Sequence, residues 1–180
     1  LHDRLRQQAF LNAGLRISIT DMRGDEPKSD SMCYEGGIRE YVTFINKNKT
    51  ALHEEVIYVS GMKGDSTAEI ALQYHDGYNE TLVSFANDIH TPEGGTHETG
   101  FKTGLTKVLN DYARKNGILK DSDKNLSGDD VQEGICAIVS VKLQDAQFES
   151  QTKAKLGNSD IRTLVDNTMK TKLAEYFEEN

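Results

Sequence analysis

The stretch ICAIVSVKL, residues 135–143, is almost entirely apolar and rich in β-branched side chains. Such residues favour strands, and a short, mostly apolar run predicts a well-buried one. A polar loop follows, and then a helix that Asn158 or Ser159 can cap. The apolar side chains of that helix form one stripe at helical spacing: Ile161, Leu164, Val165, Met169, Leu173 and Phe177. A buried strand and an amphipathic helix thus lie on either side of the loop.

Upstream of this strand, the pattern predicts a mixed α+β architecture. The segment 100–117 carries apolar residues at i, i+4, i+7 and i+8 and predicts the longest helix, ended by Gly117. EEVIYVSG, AEIALQYH and TLVSFAN, joined by glycine-containing turns, predict an antiparallel meander. We therefore expect a two-layer α/β sandwich with the long helices on one face of the sheet.

The first 49 residues predict shorter elements. A helix ends at Gly14, and LRISITD alternates as a half-buried strand does. MRGDEPKSDS, residues 22–31, predicts a mobile link. IREYVTFINKNK then predicts a helix, because its apolar residues follow the spacing i, i+3, i+4, i+7: Ile38, Tyr41, Val42 and Ile45.

Composition excludes several classes of protein. The chain has 180 residues and a net charge of −8, which argues against a general nucleic-acid coat protein. No apolar run approaches the ~18 residues that span a bilayer, so we expect no membrane partner. The histidines and the distant Cys33 and Cys136 lack the spacing of zinc ligands, so no metal site is expected. The chain begins at Leu1 without Met, inside a predicted helix, and we expect it to be part of a larger protein.

The polar loop contains the most specific candidate site. Lys153 and Gln151 lie in SQTKAK, between the buried strand and the capped helix. An ammonium held there can act as a point charge on a phosphate, and the amide can donate beside it. Donors aimed at a phosphoryl group stabilise the charge that develops during transfer. On residues alone, a solvated lysine in a polar loop is the simpler interpretation.

The long helix offers a second candidate. Lys102, Lys107 and Arg114 follow one another along it, with few acidic residues among them. A solvated helix face is one interpretation, and a surface that contacts the phosphate backbone of DNA is the other. GTHETGFKT, residues 95–103, approaches a P-loop, but Phe101 intervenes between Gly100 and Lys102. We therefore expect a turn and a helix start there.

Several collinear blocks resemble the B subunit of bacterial DNA gyrase, a type IIA topoisomerase. They are YEGGIREYVTFINKNKTALHEEVIY, TPEGGTHETGFKT, NDYARKNG, KNLSGDDVQEG, AIVSVKL and FESQTKAKLGNSDIRT. The resemblance covers the transducer domain, the second half of that subunit's ATPase region. It implies a helix at 1–14 that joins a preceding ATPase domain, a transducer domain at 15–180, and a C-terminal helix at 158–180. It also implies a ribosomal-protein-like sandwich with a left-handed β-α-β crossover, against the usual rule.

The resemblance also implies a function. Lys153 would contact the γ-phosphate of ATP, with Gln151 beside it, and couple hydrolysis to clamp movement, strand passage and negative supercoiling. Lys102 would lie at a position that faces DNA in the family. The implied partners are double-stranded DNA, the gyrase A subunit and another copy of the B subunit, in the cytoplasm. ATP with Mg²⁺ would serve the intact protein; we expect neither bound to this chain, nor hydrolysis by it alone. The equivalent domain of topoisomerase IV, or a non-catalytic interaction module, is the alternative.

The sequence departs from the family at the entry to the loop. Gln144-Asp145-Ala146 stands where the family usually has Pro-Asp-Pro, and Ser150 stands where it often has Gly. Without the prolines we expect the approach to the loop to be less rigid. Gln151 and Lys153 are intact, so we do not expect the implied function to change.

Overall fold

The structure, a computed structural model, describes residues 1–149 and 151–179. Ser150, one of the departures noted above, and Asn180 lie outside them. The helices are α1 (His2–Leu11), α2 (Ile38–Ile45), α3 (Thr96–Lys115), α4 (Gly128–Gln132), α5 (Ser159–Thr168) and α6 (Ala174–Glu179). The strands are β1 (Arg16–Asp21), β2 (Lys28–Cys33), β3 (Ile57–Lys63), β4 (Ser66–Tyr74), β5 (Thr81–Ala86), β6 (Ile89–His90) and β7 (Ile135–Lys142). A π-helical turn, Met169–Leu173, joins α5 to α6.

β7 is the central strand of the main sheet, and it is buried as its composition predicts. It lies in the middle of a five-stranded sheet of order β3-β4-β7-β5-β6, and its first seven residues are buried. β4 runs antiparallel to it on one side and β5 runs parallel to it on the other. The predicted meander is therefore wrong in one respect: β3 and β4 form the expected hairpin, but β7 separates β4 from β5. The DGYN segment is a connection across the sheet, since β5 pairs with β7 and β6.

The connection from β5 through α3 to β7 is left-handed, as the resemblance implies. α3 packs on the sheet face that carries the odd-numbered side chains of β7, from Ile135 to Val141. The Val141 carbonyl accepts a hydrogen bond from the Asn87 N–H at 2.9 Å, so these residues direct their peptide groups toward β5. In a strand of L-residues viewed running upward, a residue whose side chain faces the viewer directs its peptide groups to the right. β5 is thus to the right of β7, and the chain crosses from right to left in front of the sheet, unlike about 98% of such connections.

Two helical layers cover the sheet. α3 and the C-terminal helix form the main core against the odd-numbered face of β7. Gly100 and Gly104 let α3 pack closely against the C-terminal helix. A Cβ on Gly104, for example, would lie 2.6 Å from the Cβ of Met169. The opposite face is covered in part by α1 and α2, through a smaller buried cluster that includes Leu11 and Val42. The long helices therefore lie on one face, as expected, and the two shorter ones add a partial third layer.

Residues 22–33 differ most from the prediction. Part of the expected mobile link is strand β2, which pairs antiparallel with β1 from Arg16↔Cys33 to Asp21↔Lys28. β2 has four exposed residues followed by Met32 and Cys33, so it lacks the apolar alternation that predicts a strand. Its pairing with β1 comes from backbone hydrogen bonds and small polar pairs such as Ser18 with Ser31.

The remaining predicted elements are present, with shifted ends. α3 begins four residues before Gly100, so that glycine lies inside the helix. α4 carries a complete capping box between Ser127 and Asp130. The predicted C-terminal stripe is confirmed, because five of its residues are buried: Ile161, Leu164, Val165, Met169 and Leu173. None of the described helices is both long and apolar enough to cross a bilayer.

Candidate functional site: the Lys153 loop

The polar loop folds back on itself and presents Lys153 at its tip. The Glu149 N–H donates to the Lys155 carbonyl at 2.9 Å, and the Gly157 N–H donates to the Gln147 carbonyl at 2.7 Å. These bonds pair the two arms, and the three residues 151–153 between them are exposed. We call residues 147–157 the Lys153 loop.

The C-terminal arm of the Lys153 loop is attached to the segment that precedes α3. Leu156 is fully buried; its N–H donates to the Gly94 carbonyl and its carbonyl accepts from the Thr96 N–H, both at 3.1 Å. The Glu93 N–H donates to the Ala154 carbonyl at 2.9 Å. These three backbone bonds lie within three residues of Lys153, so its main chain is held while its side chain remains in solvent.

Gly95 permits this attachment. A Cβ at this position would lie 2.6 Å from the Leu156 nitrogen and would overlap the Leu156 carbonyl oxygen. Its φ of +136° is also a conformation that only glycine adopts readily. The glycine pair that suggested a turn before the helix is thus a docking position for the Lys153 loop.

Asn158 holds the other arm. It occupies the N-cap position of α5, as predicted, but its side chain makes no bond to the helix. Its Oδ1 accepts from the Gln147 N–H at 2.6 Å and its Nδ2 donates to the Asp145 carbonyl at 2.9 Å. Asn158 therefore holds Asp145 and Gln147 at the entry to the loop.

The two lysines of the loop have different surroundings. Lys155 pairs with Glu149 at 3.3 Å, across the two arms. Lys153 has no carboxylate within ion-pair distance in residues 1–149 and 151–179, and its Nζ lies 5.9 Å from the centroid of the Phe148 ring. Its φ of +57° is a left-handed conformation that costs a non-glycine residue about 1 kcal/mol or more. An exposed cation beside the exposed amide of Gln151 can bind an anionic oxygen, and a phosphate fits this chemistry.

The cations of α3 divide into two groups. Lys102 and Lys107 line one shallow surface groove beside α4, with Lys107 paired to Asp111 at 2.9 Å. The guanidinium of Arg114 instead donates to the Asn125 side chain at 2.8 Å and to the Lys120 and Asp123 carbonyls. Arg114 thus holds the loop after α3, and most of its donors are used within the chain.

Other candidates carry no chemistry in the described part of the chain. Residues 96–103 all belong to α3, so GTHETGFKT forms no phosphate loop. No group of three or more His, Cys, Asp or Glu side chains among residues 1–149 and 151–179 is placed to hold a metal ion. Cys33 and Cys136 are both free thiols. Burial raises the pKa of the Cys136 thiol to about 11.

Sequence reasoning missed a buried polar cluster beneath the loop, at the start of α3. It consists of Ser84, Thr91, His97 and Glu98, which we call the Thr91 cluster. Burial lowers the pKa of His97 to about 4, so the imidazole is neutral at pH 7. The signal in the sequence is the run TPEGGTHE, where five polar residues flank two glycines at the start of an amphipathic helix.

Comparison with known proteins places these features in one family. A sequence profile described as DNA gyrase B matches residues 37–180. The DNA gyrase B subunit of Clostridium acetobutylicum is 54% identical over 181 residues, which cover 100% of this chain and 28% of the relative. The DNA gyrase B subunit of Halalkalibacterium halodurans is 58% identical over 166 residues, which cover 92% of this chain and 26% of the relative. The chain thus spans about a quarter of the length of these relatives.

Solved structures show the same fold. The 43K ATPase domain of Thermus thermophilus gyrase B, in complex with an aminocoumarin, matches 99% of this chain and 48% of that chain with a TM-score of 0.89 and 35% identity. The topoisomerase IV ATP-binding domain of Francisella tularensis matches 99% of this chain and 47% of that chain with a TM-score of 0.82 and 25% identity. The sequence match over residues 37–180 and the shared fold lead to one conclusion: the chain belongs to the DNA gyrase B family.

Proposed function

We propose that this chain is the transducer domain of an ATP-dependent type II DNA topoisomerase, gyrase, and that Lys153 contacts the γ-phosphate of ATP held by another domain of the same protein. The observation that carries this proposal is the geometry of Lys153: its main chain is fixed by the bonds of Ala154 and Leu156, while its ammonium stays exposed. The match to about half of an ATPase domain supports it.

The chemistry of the contact follows from the two exposed donors. The Lys153 ammonium and the Gln151 amide can both donate to phosphoryl oxygens, and the charge on those oxygens shifts during transfer. A preorganised cation lowers the barrier only if it binds the transition state more strongly than the ground state. The described residues contain no cluster suited to Mg²⁺. We therefore assign Mg²⁺ and the adenine to the rest of the protein, and no hydrolysis to this chain alone.

The same contacts provide a route for coupling. The Lys153 loop is bonded to the segment before α3 through Leu156, and Asn158, at the start of α5, is bonded to the loop entry. A displacement of the loop on loss of the γ-phosphate therefore acts on both α3 and α5, and through α5 on the π-helical turn and α6 that follow it. We propose that residues 158–180 transmit this movement toward the DNA gate, and that residues 1–14 join the nucleotide-binding domain to a transducer at 15–180.

We also propose that the groove with Lys102 and Lys107 faces double-stranded DNA when two B subunits close around it as a clamp. In this proposal the B subunits work together with the gyrase A subunit, in the cytoplasm. Lys102 has no ion pair within the described residues, whereas the ammonium of Lys107 pairs with the Asp111 carboxylate. Contacts of this kind act by releasing counterions rather than by reading bases. Arg114 contributes less, because its donors are engaged in the chain.

The equivalent domain of topoisomerase IV is the second candidate, because a topoisomerase IV structure shares the fold over 99% of the chain. Gyrase is favoured by 54% identity to a gyrase B subunit over the whole chain. A purely structural module is the third candidate. It predicts that the loop lysine has no effect on ATP use, which a single substitution can test.

The experiment is Lys153→Ala in the full-length protein, with Lys155→Ala as the matched control from the same loop. ATP binding and ATP hydrolysis are measured side by side. We expect Lys153→Ala to retain ATP affinity within a few-fold and to lose about 100-fold or more of turnover, as for a lost transition-state charge contact. Lys155→Ala should retain turnover, since its ammonium pairs with Glu149. Unchanged hydrolysis in Lys153→Ala would show that the loop is only a connection.

A further inference from the structure

The Thr91 cluster is a chain of short hydrogen bonds between β5 and the first turn of α3. Thr91 Oγ1 lies 2.9 Å from His97 Nε2 and 2.7 Å from Ser84 Oγ. Ser84 Oγ lies 2.8 Å from the Glu98 carboxylate. Ser84, Thr91 and His97 are all at most 1% exposed. A buried chain of this kind is costly to break, because each group that loses its partner stays away from water.

The direction of the protons in this chain follows from their number. Ser84 has one hydroxyl proton, and the Glu98 carboxylate can only accept it. The single Thr91 hydroxyl proton is therefore directed to Ser84, whose Oγ lies 2.7 Å and whose carbonyl oxygen lies 3.0 Å from Thr91 Oγ1. Thr91 then has no proton left for the imidazole, so His97 donates from Nε2. The buried Nδ1 atom, which has no partner in the described part of the chain, is the bare acceptor of this tautomer. The chain runs in one direction, from His97 through Thr91 and Ser84 to Glu98.

This chain fixes the turn to which the Lys153 loop is attached. Both ends of it lie on α3, and its middle is Thr91, whose carbonyl accepts the Gly94 N–H at 2.9 Å. The turn between Thr91 and α3 carries the Glu93 N–H and the Gly94 carbonyl, which bind Ala154 and Leu156 on the C-terminal side of Lys153. A shift of Thr91 is thus passed to Lys153 through two backbone bonds.

We propose that Thr91 is a positioning residue for Lys153. The hydrogen-bonded chain His97–Thr91–Ser84–Glu98 holds the 92–95 turn, and this turn fixes the position of the Lys153 main chain relative to the sheet and α3. Thr91 is buried and touches no phosphate. Its effect acts through the attachment of the loop. This inference rests on the proposed function, because the position of Lys153 matters for turnover only if its ammonium contacts a phosphate.

The test compares Thr91→Val with Thr91→Ser in the full-length protein. Valine keeps the shape of threonine and removes the hydroxyl, whereas serine keeps the hydroxyl. Thr43→Val, on the exposed side of α2, is the control for the same chemical change elsewhere. Amide hydrogen exchange of Leu156 and Glu93 reports on the attachment, and ATP affinity and turnover report on its consequence.

We expect Thr91→Val to speed exchange of the Leu156 amide by about tenfold, the factor expected for one lost buried hydrogen bond. Turnover should fall by about tenfold with ATP affinity unchanged, and Thr91→Ser should restore both quantities. If Thr91→Val does not fold, Ser84→Ala breaks the same chain at its next link and carries the same expectation.

The outcomes separate the two proposals. Unchanged exchange of Leu156 in Thr91→Val overturns the positioning role. Faster exchange with normal turnover also overturns it, provided that Lys153→Ala collapses turnover in the same assay. If Lys153→Ala itself leaves turnover normal, the proposed function fails. The exchange rates then still show whether the chain holds the turn.

Discussion

Substitution of Gly95 by alanine tests the attachment of the Lys153 loop most severely. Gly95 lies at the closest approach between the segment before α3 and the buried Leu156. A methyl group there would overlap the Leu156 carbonyl oxygen and lie 2.6 Å from its nitrogen. Both atoms belong to the backbone and make the bonds to Gly94 and Thr96, so neither can move without loss of those bonds.

Two energetic costs set the size of the destabilisation in Gly95→Ala. A non-glycine residue in the conformation of Gly95 costs about 1–3 kcal/mol in backbone strain. Forcing a methyl group into a closed contact costs typically about 1–3 kcal/mol more. Gly95→Ala should therefore reduce the free energy of unfolding by about 2–6 kcal/mol. Gly64→Ala is the matched control: Gly64 also has a positive φ, +60°, but a Cβ there meets nothing within 4 Å. It should cost only about 1–2 kcal/mol.

The assay is urea denaturation of both variants, with the amide exchange of Leu156 measured in parallel. For an m-value of about 2 kcal/mol/M, Gly95→Ala should lower the midpoint by about 1–3 M and Gly64→Ala by less than about 1 M. If the loop detaches before the rest unfolds, the midpoint shift will be smaller, and fast exchange of Leu156 will report the detachment. Equal midpoints for the two variants, with Leu156 still protected, would refute the close attachment.

Three further substitutions test other parts of the account. Burial lowers the pKa of His97 from 6.5 to about 4, so only the unfolded chain takes up this proton as the pH falls from 6.5 toward 4. The stability present above pH 6.5 is lost over that range, by about 2 kcal/mol at pH 5, and urea midpoints at pH 7 and pH 5 should differ less in His97→Gln than in the parent. Arg114→Met removes three hydrogen bonds to residues 120–125. It should cost about 1–2 kcal/mol, with faster limited proteolysis after α3. An unchanged cleavage rate would show that Arg114 does not hold the loop after α3. Asn158→Ala should expose the Gln147 amide to exchange and cost about 2–4 kcal/mol, whereas Ser159→Ala, at the next, exposed position, should change little.

Periodicity predicted the elements whose burial is one-sided or complete. α3 and the C-terminal helix have clean apolar stripes, and β7 is apolar except for Ser140 and Lys142, so the local sequence pattern agrees with the tertiary environment. β2 was missed because its residues are polar and both of its faces are largely exposed. A strand held by backbone hydrogen bonds and small polar pairs leaves no apolar periodicity in the sequence.

The order of strands in the sheet is not a local property. The hairpin of β3 and β4 was predictable from its turn. β7, however, lies between β4 and β5 in the sheet, although it begins only at Ile135, well after β5 has ended at Ala86. Local alternation cannot distinguish a neighbouring strand from a later one that takes its place. The left-handed crossover follows from the same insertion, and only the family resemblance anticipated it.

The candidate residue Lys153 could be located from the sequence, but the contacts that hold its loop could not. Lys153 was identifiable as a cation in a loop between two firm elements. The roles of Asn158, Gly95 and the Thr91 cluster come from contacts between segments up to about 60 residues apart, which sequence spacing does not reveal. Arg114 is a different case. Its charge suggested a contact with DNA, whereas its guanidinium donates hydrogen bonds to the loop after α3.

The most direct test of the γ-phosphate contact is the chemical reactivity of Lys153 in the full-length protein. An amine-acylating reagent is applied with a non-hydrolysable ATP analogue or with ADP, and modification of each lysine is quantified. Lys155, two residues away and paired with Glu149, is the internal control. We predict that Lys153 is protected by the ATP analogue and not by ADP, while Lys155 reacts equally in both. Equal reactivity of Lys153 in the two nucleotide states would contradict the account.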